Sequence, residues 1–192
     1  MLSHIRPALV SMGLFTALLG LGYPLAVTGI AQAAFPAQAN GSLLRDAKGT
    51  VVGSALIGQP FAEAKYLHPR PSAAGTGYDA SASSGSNMGP LNEALATRVK
   101  TDADALRAEN PGAVIPADAV TTSGSGLDPD ISPAYARFQA PRIAKARGLP
   151  VARVEAVIDR NVQGPLLGFI GQPRVNVLAV NRALDARFPK GG

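Results

Sequence analysis

From Pro7 to Leu44 the chain carries no charged side chain, and the apolar heart of that run extends from Ala8 to Ala34. At 1.5 Å rise per residue, these roughly 27 positions form a helix of about 40 Å, longer than the ~30 Å hydrocarbon core of a bilayer. The pattern predicts a retained transmembrane helix over residues 8–34, a short cytoplasmic tail over 1–7 and an extracytoplasmic domain over 35–192. A cleaved secretory signal is the competing reading, with Arg6 as its charged start and Ala31-Gln32-Ala33 as its cleavage site. Signal peptides carry apolar cores of about 7–15 residues, shorter than this run. Either reading exports the remainder of the chain. Basic residues near the two ends are nearly balanced, Arg6 against Arg45 and Lys48, and the short tail favours an amino end inside.

Within the span, Gly13 with Ala17 and Gly29 with Ala33 follow the small-xxx-small spacing that lets two membrane helices approach closely. Pro24 lacks a backbone donor and is expected to kink the helix.

Beyond the span the periodicity changes repeatedly. Gly41–Arg45 and Thr50–Ile57 flank the turn-rich Asp46-Ala-Lys-Gly49 and read as a β-hairpin. Residues 65–90 are rich in Pro, Gly, Ser and Ala and predict a long irregular segment. Leu95, Val99, Ala103 and Leu106 at helical spacing predict a helix over 91–110, stopped by Pro111-Gly112. Val114-Ile115 and Ala119-Val120 suggest short strand pieces. Ser132 is placed to cap a helix that begins at Pro133, is interrupted at Pro141 and closes at Gly148. A helix over 151–161 buries Val154, Val157 and Ile158, a strand follows over 173–178, and a short helix over 180–188 ends the chain. The fold class is therefore an α+β domain behind one N-terminal membrane helix.

Composition narrows the chemistry. The chain has no cysteine and two histidines, His4 and His68, which disfavours thiolate, disulfide and His-cluster metal sites. The net charge of +5 invites a nucleic-acid partner, but tethering to a membrane and 5% aromatic content argue for none. Charge is unevenly distributed. Residues 35–133 hold seven Lys/Arg against ten Asp/Glu, and residues 134–192 hold ten against three. Such asymmetry suggests a domain with oppositely charged faces that orient it against lipid headgroups or a charged partner, a solvated basic helix surface being the plainer alternative.

The densest cluster of special residues is Thr121–Pro133. Ser123-Gly124-Ser125-Gly126 ahead of a helix could form a backbone nest for an anion, or a tight turn stapled to a capped helix. No P-loop, GxGxxG or GxSxG pattern accompanies it. A serine hydrolase would need His68 as its base, and Asp128 with Asp130 fall short of a calcium shell. The residues alone leave two readings, a membrane-anchored accessory subunit and an extracytoplasmic ligand-binding domain or enzyme unrelated to transport. The scarcity of catalytic groups favours the first.

Several stretches resemble one family in order along nearly the whole chain. They are Arg6-Pro-Ala-Leu9, Gly53-Ser-Ala-Leu-Ile-Gly-Gln59 with Phe61, Arg70-Pro-Ser72, Ser84-Gly-Ser-Asn87, Ser123–Asp128 with Ile131-Ser-Pro133, Arg142–Gly148 and Arg174-Val-Asn-Val177. Together they resemble the KdpC family. The resemblance implies a subunit of an ATP-driven potassium uptake complex in the bacterial inner membrane. It would stand beside a channel-like potassium-binding subunit, a P-type ATPase subunit and a small stabilising subunit. It further implies one membrane helix, an extracytoplasmic domain, no tightly bound cofactor, and a catalytic-chaperone role that raises the ATPase subunit's affinity for ATP. The glutamine associated with that role is matched by Gln139. Direct contact with cytoplasmic ATP conflicts with an extracytoplasmic domain, so an indirect population shift in the pump is the expected route, the alternative being Gln139 near the nucleotide.

Overall fold

The computed structural model describes residues 2–189, leaving Met1 and positions 190–192 of the expected tail and domain outside it. Two compact units divide after Val52.

In the first unit one apolar helix covers Ile5–Ala34, with mean hydropathy 1.7, and is by length and composition able to cross a membrane. It comprises α1 (Ile5–Phe15), a π-helical segment (Thr16–Gly22) and α2 (Tyr23–Ala34). The disturbance expected at Pro24 takes the form of that π segment. Pro24 offers no N–H to the preceding turn, and widening the turn brings the Tyr23 N–H onto Leu18 O, five residues back. Gly13, Ala17, Gly29 and Ala33 are all exposed on this helix, and nothing lies within 4 Å of a Cβ built on Gly13 or Gly29. A short α3 (Pro36–Ala39) follows, and β1 (Leu43–Arg45) pairs with β2 (Val51–Ser54) as the expected hairpin. Asp46 Oδ1 closes its turn by accepting from the N–H groups of Lys48 at 2.8 Å and Thr50 at 2.9 Å.

The second unit holds α4 (Glu93–Glu109), β3 (Asp130–Ile131), α5 (Pro133–Phe138), α6 (Ala140–Arg147), α7 (Val151–Arg160), β4 (Val162–Gln163), β5 (Arg174–Asn176) and α8 (Val177–Arg187). The strands form an antiparallel sheet in the order β3-β5-β4, with Ile131 and Val162 both opposite Val175. Caps fix the helix starts. Asn92 Oδ1 accepts from Ala94 N–H at 2.8 Å, Ser132 Oγ from Tyr135 N–H at 3.0 Å, and Asn176 Oδ1 from Ala179 N–H at 3.0 Å. The break expected near Pro141 separates α5 from α6 at Gln139, and Gly148 ends α6 in the left-handed conformation. Ile143, Val154, Val157, Ile158, Val175, Val180 and Leu184 are all at most 1% exposed and form one core with Leu67. Each such side chain contributes about 1.5–3 kcal/mol by leaving water.

Three sequence expectations change here. Val114-Ile115 and Ala119-Val120 are not strands; Ala117–Ala119 is a single 3₁₀ turn. Pro116 follows the first piece directly and cannot donate to a ladder that would continue it, and Asp118 is held at the start of α5, where it accepts from Ser132 N–H at 2.7 Å and Ser132 Oγ at 2.9 Å. The final strand is shorter than expected and α8 begins three residues early, because Asn176 caps it. The pairs at β3 and β4 are only two residues long and carry no alternation to betray them.

Candidate functional site

The irregular stretch after β2 is ordered by side chains supplied by the α5–α6 junction, by α6 and by α8. Its centre is Leu67-His68. Leu67 is fully buried; its N–H donates to Asn181 Oδ1 at 2.7 Å and its carbonyl accepts from Asn181 Nδ2 at 3.0 Å. His68 repeats the arrangement one residue on, its N–H donating to Gln139 Oε1 at 2.7 Å and its carbonyl accepting from Gln139 Nε2 at 3.0 Å. A carboxamide carries one donor face and one acceptor oxygen, so it can replace a neighbouring strand for one residue. Gln139 and Asn181 are each 1% exposed, and both use their amides in this way.

Arginines of α6 extend the clamp. Arg142 Nη1 donates to the carbonyls of Ala64 at 2.6 Å and Tyr66 at 3.0 Å, and its Nη2 donates to Gln139 Oε1 at 2.6 Å. Its Nε lies 3.0 Å from Glu109 Oε1, an ion pair without hydrogen-bond alignment. Arg147 Nε donates to Lys65 O at 2.7 Å and its Nη2 to Asp185 Oδ1 at 2.8 Å, while the Tyr66 hydroxyl donates to Asp185 Oδ2 at 2.9 Å. Two charges of the basic C-terminal half thus face inward, onto backbone carbonyls.

The Ser123–Gly126 turn is walled in by the same irregular segment. Ser72 Oγ donates to Gly126 O at 2.6 Å, and Ser125 O accepts from Ser84 N–H at 3.0 Å and Ser83 Oγ at 2.9 Å. Two amides that an anion nest could offer are turned inward, Gly126 N–H toward Ser123 O at 3.4 Å and Leu127 N–H toward Ser125 Oγ at 3.1 Å. Ser123 is buried, with its hydroxyl 3.4 Å from that of Ser125, and Gly124 is exposed. Arg70 ties the turn's flanks together through Asp128 Oδ2 at 2.9 Å, Thr121 O at 3.2 Å and Thr122 O at 3.3 Å. The Tyr78 hydroxyl donates to Arg70 O.

A cleft of about 450 Å³ opens beside this framework, lined in part by Phe61, His68, Arg70, Tyr78, Glu109 and Tyr135. Burial, then the Arg142 guanidinium, hold the His68 imidazole below its usual range. Burial pushes the Tyr135 phenol up to about 12. A second cleft of about 390 Å³ is lined in part by Arg70, Asp118, Asp128, Asp130, Ser132 and Arg174. There burial raises Asp130, against the opposing pull of its Asn176 hydrogen bond and the Arg174 charge. Among the described residues no group of three or more His, Cys, Asp or Glu is arranged to hold a metal ion.

The family described as KdpC, K+-transporting ATPase, c chain, matches residues 5–186. The chain belongs to the KdpC family. It is 82% identical to the potassium-transporting ATPase KdpC subunit of Caulobacter sp. (strain K31), over all of this chain and 98% of that protein. The same subunit of Beijerinckia indica subsp. indica is 66% identical over 98% of this chain and 96% of its own length. That of Bradyrhizobium diazoefficiens is 56% identical over 99% of this chain and all of its own. The KdpC match spans the apolar helix, both carboxamide clamps and the Ser123–Gly126 turn, and it makes the chain a subunit of a potassium-transporting ATPase complex.

The resemblance points to Gln139, and the structure adds Arg142, which donates to it, and Asn181 and Arg147, which hold Leu67 and Lys65 of the same segment. Asn181 had left a trace in the sequence. It occupies a core-facing position of α8 among Val177, Val180 and Leu184, where a polar residue implies a buried partner.

Proposed function

We propose that this chain is an accessory, non-catalytic subunit of the potassium pump, and that any effect it has on the ATP affinity of the ATPase subunit is indirect. The observation that carries the proposal is the state of Gln139. Its carboxamide is buried and occupied, Oε1 by His68 N–H and Arg142, and Nε2 by His68 O. A side chain so engaged fits a nucleotide poorly, because contact would strip a buried backbone segment of its partners. In this reading Gln139 shapes the domain, and the domain biases the conformational equilibrium of the pump.

Residues 8–34 of the helix Ile5–Ala34 are the anchor in the bacterial inner membrane, with residues 1–7 cytoplasmic and the bulk extracytoplasmic. Gly13, Ala17, Gly29 and Ala33 are the positions where a partner helix would pack closely, on the small-xxx-small spacing they share. The channel-like subunit, the ATPase subunit and the small stabilising subunit are the partners, together with lipid. ATP belongs to the ATPase subunit. Ser123, Gly124, Ser125 and Gly126 act as a structural turn rather than an anion site.

Gln139→Ala in the purified complex separates the two routes to ATP. At matched subunit occupancy, KM for ATP is expected to stay at the wild-type value while the thermal midpoint of this subunit falls. A raised KM at an unchanged midpoint would instead place Gln139 at the nucleotide.

A further inference from the structure

The cleft of about 450 Å³ beside the clamped segment has the size of a small-molecule site. Its walls are largely apolar, made by Pro60, Phe61, Pro69 and Pro71 of the irregular stretch together with Leu106 of α4. The charged groups that line it are already paired. Arg70 Nη1 lies 2.9 Å from Asp128 Oδ2, Asp102 Oδ2 2.7 Å from Arg98 Nη1, and Glu109 Oε1 3.0 Å from Arg142 Nε. The other polar side chains are occupied as well. Ser72 Oγ donates to Gly126 O, the Tyr78 hydroxyl donates to Arg70 O, and His68 Nε2 lies 3.2 Å from Glu63 O.

Tyr135 is the exception. It is only 5% exposed, yet its hydroxyl has no hydrogen-bond partner among the described residues. Buried tyrosines ordinarily direct this group to a partner, because a hydrogen bond left unmade inside a protein costs stability. The Tyr135 hydroxyl is not sealed off, so the little surface the residue keeps opens into the cleft that it lines. Burial holds the phenol at a pKa of about 12, so at neutral pH it is protonated and stands as a donor without an acceptor. An ionic ligand would find no unpaired countercharge here, and stripping its water against apolar walls is costly. A polypeptide strand would bury an N–H with each carbonyl, and the cleft has one open group to meet them. We propose that the cleft binds a small uncharged molecule, apolar over most of its surface, with one carbonyl or ether oxygen that accepts from the Tyr135 hydroxyl.

The test uses the full chain in detergent, with 3-fluorotyrosine at its four tyrosines and fluorine NMR as the readout, both alone and reassembled with the other pump subunits. Acetophenone is the probe, benzoate its charged counterpart, and ethylbenzene its counterpart without an acceptor. Acetophenone is expected to shift the Tyr78 and Tyr135 signals saturably, about tenfold more tightly than ethylbenzene, the net effect of one hydrogen bond. Benzoate should shift neither. Tyr23 lies in the apolar helix, so its signal reports uptake of a probe by the detergent. Tyr135→Phe should erase the difference between acetophenone and ethylbenzene at Tyr78, with a thermal midpoint no lower than wild type, since only a partnerless hydroxyl is removed. Equal affinity for the two neutral probes, saturable shifts with benzoate, shifts that merely follow Tyr23, or a lowered midpoint in Tyr135→Phe would each overturn the site. So would loss of acetophenone binding on reassembly, which would make the cleft the seat of a partner subunit.

Discussion

Asn181→Ala is expected to lower the stability of the full chain in detergent by about 2–6 kcal/mol, because two buried backbone groups lose their partner at ~1–3 kcal/mol each. Those groups are the N–H and carbonyl of Leu67, a residue with no exposed surface to which water could return. Asn181→Leu separates hydrogen bonding from packing. Leucine fills the space but offers neither donor nor acceptor, so its loss should match that of alanine as read by denaturant midpoint. Recovery of the midpoint with leucine would mean that Asn181 acts as a filler and not as a clamp.

Gly126→Val should be comparably severe. Gly126 has φ +67, and a Cβ there would lie 2.6 Å from both Ala74 N and Ser84 O and 2.9 Å from Ala74 Cβ. A left-handed β-branched residue costs roughly 1–2 kcal/mol, and forcing backbone apart adds about 1–3 kcal/mol. For a chain of this size the sum lowers the thermal midpoint by roughly 10 °C. Gly124→Ala is the control. Gly124 is exposed, and nothing stands within 4 Å of the place its methyl group would take, so its midpoint should hardly move. Equal midpoints for the two variants would show that the turn yields to a side chain and is not a rigid wall.

What could be read in the sequence was whatever local pattern decides. The 38-residue uncharged run, the Asp46–Gly49 turn, the Ser132-Pro133 helix start and the Val154, Val157, Ile158 face each follow from neighbours along the chain, and each is present. What stayed hidden depends on partners far away in sequence. Leu67 and Asn181 are 114 positions apart, His68 and Gln139 71, and Arg147 and Lys65 82. No periodicity reports such pairs. For the same reason the stretch over 65–90 read only as irregular, although the α6 and α8 side chains hold its first residues firmly. The basic residues of the C-terminal half read as surface charge, and Arg147, whose side chain is 4% exposed, shows why counting charges cannot tell a surface from a clamp. The turn between β4 and β5, where Leu167 and Phe169 are each 76% exposed, read as nothing at all, since apolar residues in a short turn look like any buried run until their exposure is known.

The compartment of the domain bears most directly on whether its influence on ATP is indirect. The chain has no native cysteine, so a single introduced thiol reports its own location. Ala108 on α4 and Ala152 on α7 are exposed, and two sites on different helices guard against shielding by a partner. Ala108→Cys and Ala152→Cys, each in the assembled complex, would be treated with a membrane-impermeant maleimide in intact spheroplasts and again after rupture. The account predicts labelling in the intact spheroplasts for at least one site, with no gain for that site on rupture. Labelling of both only after rupture would place the domain with the cytoplasmic nucleotide and contradict it.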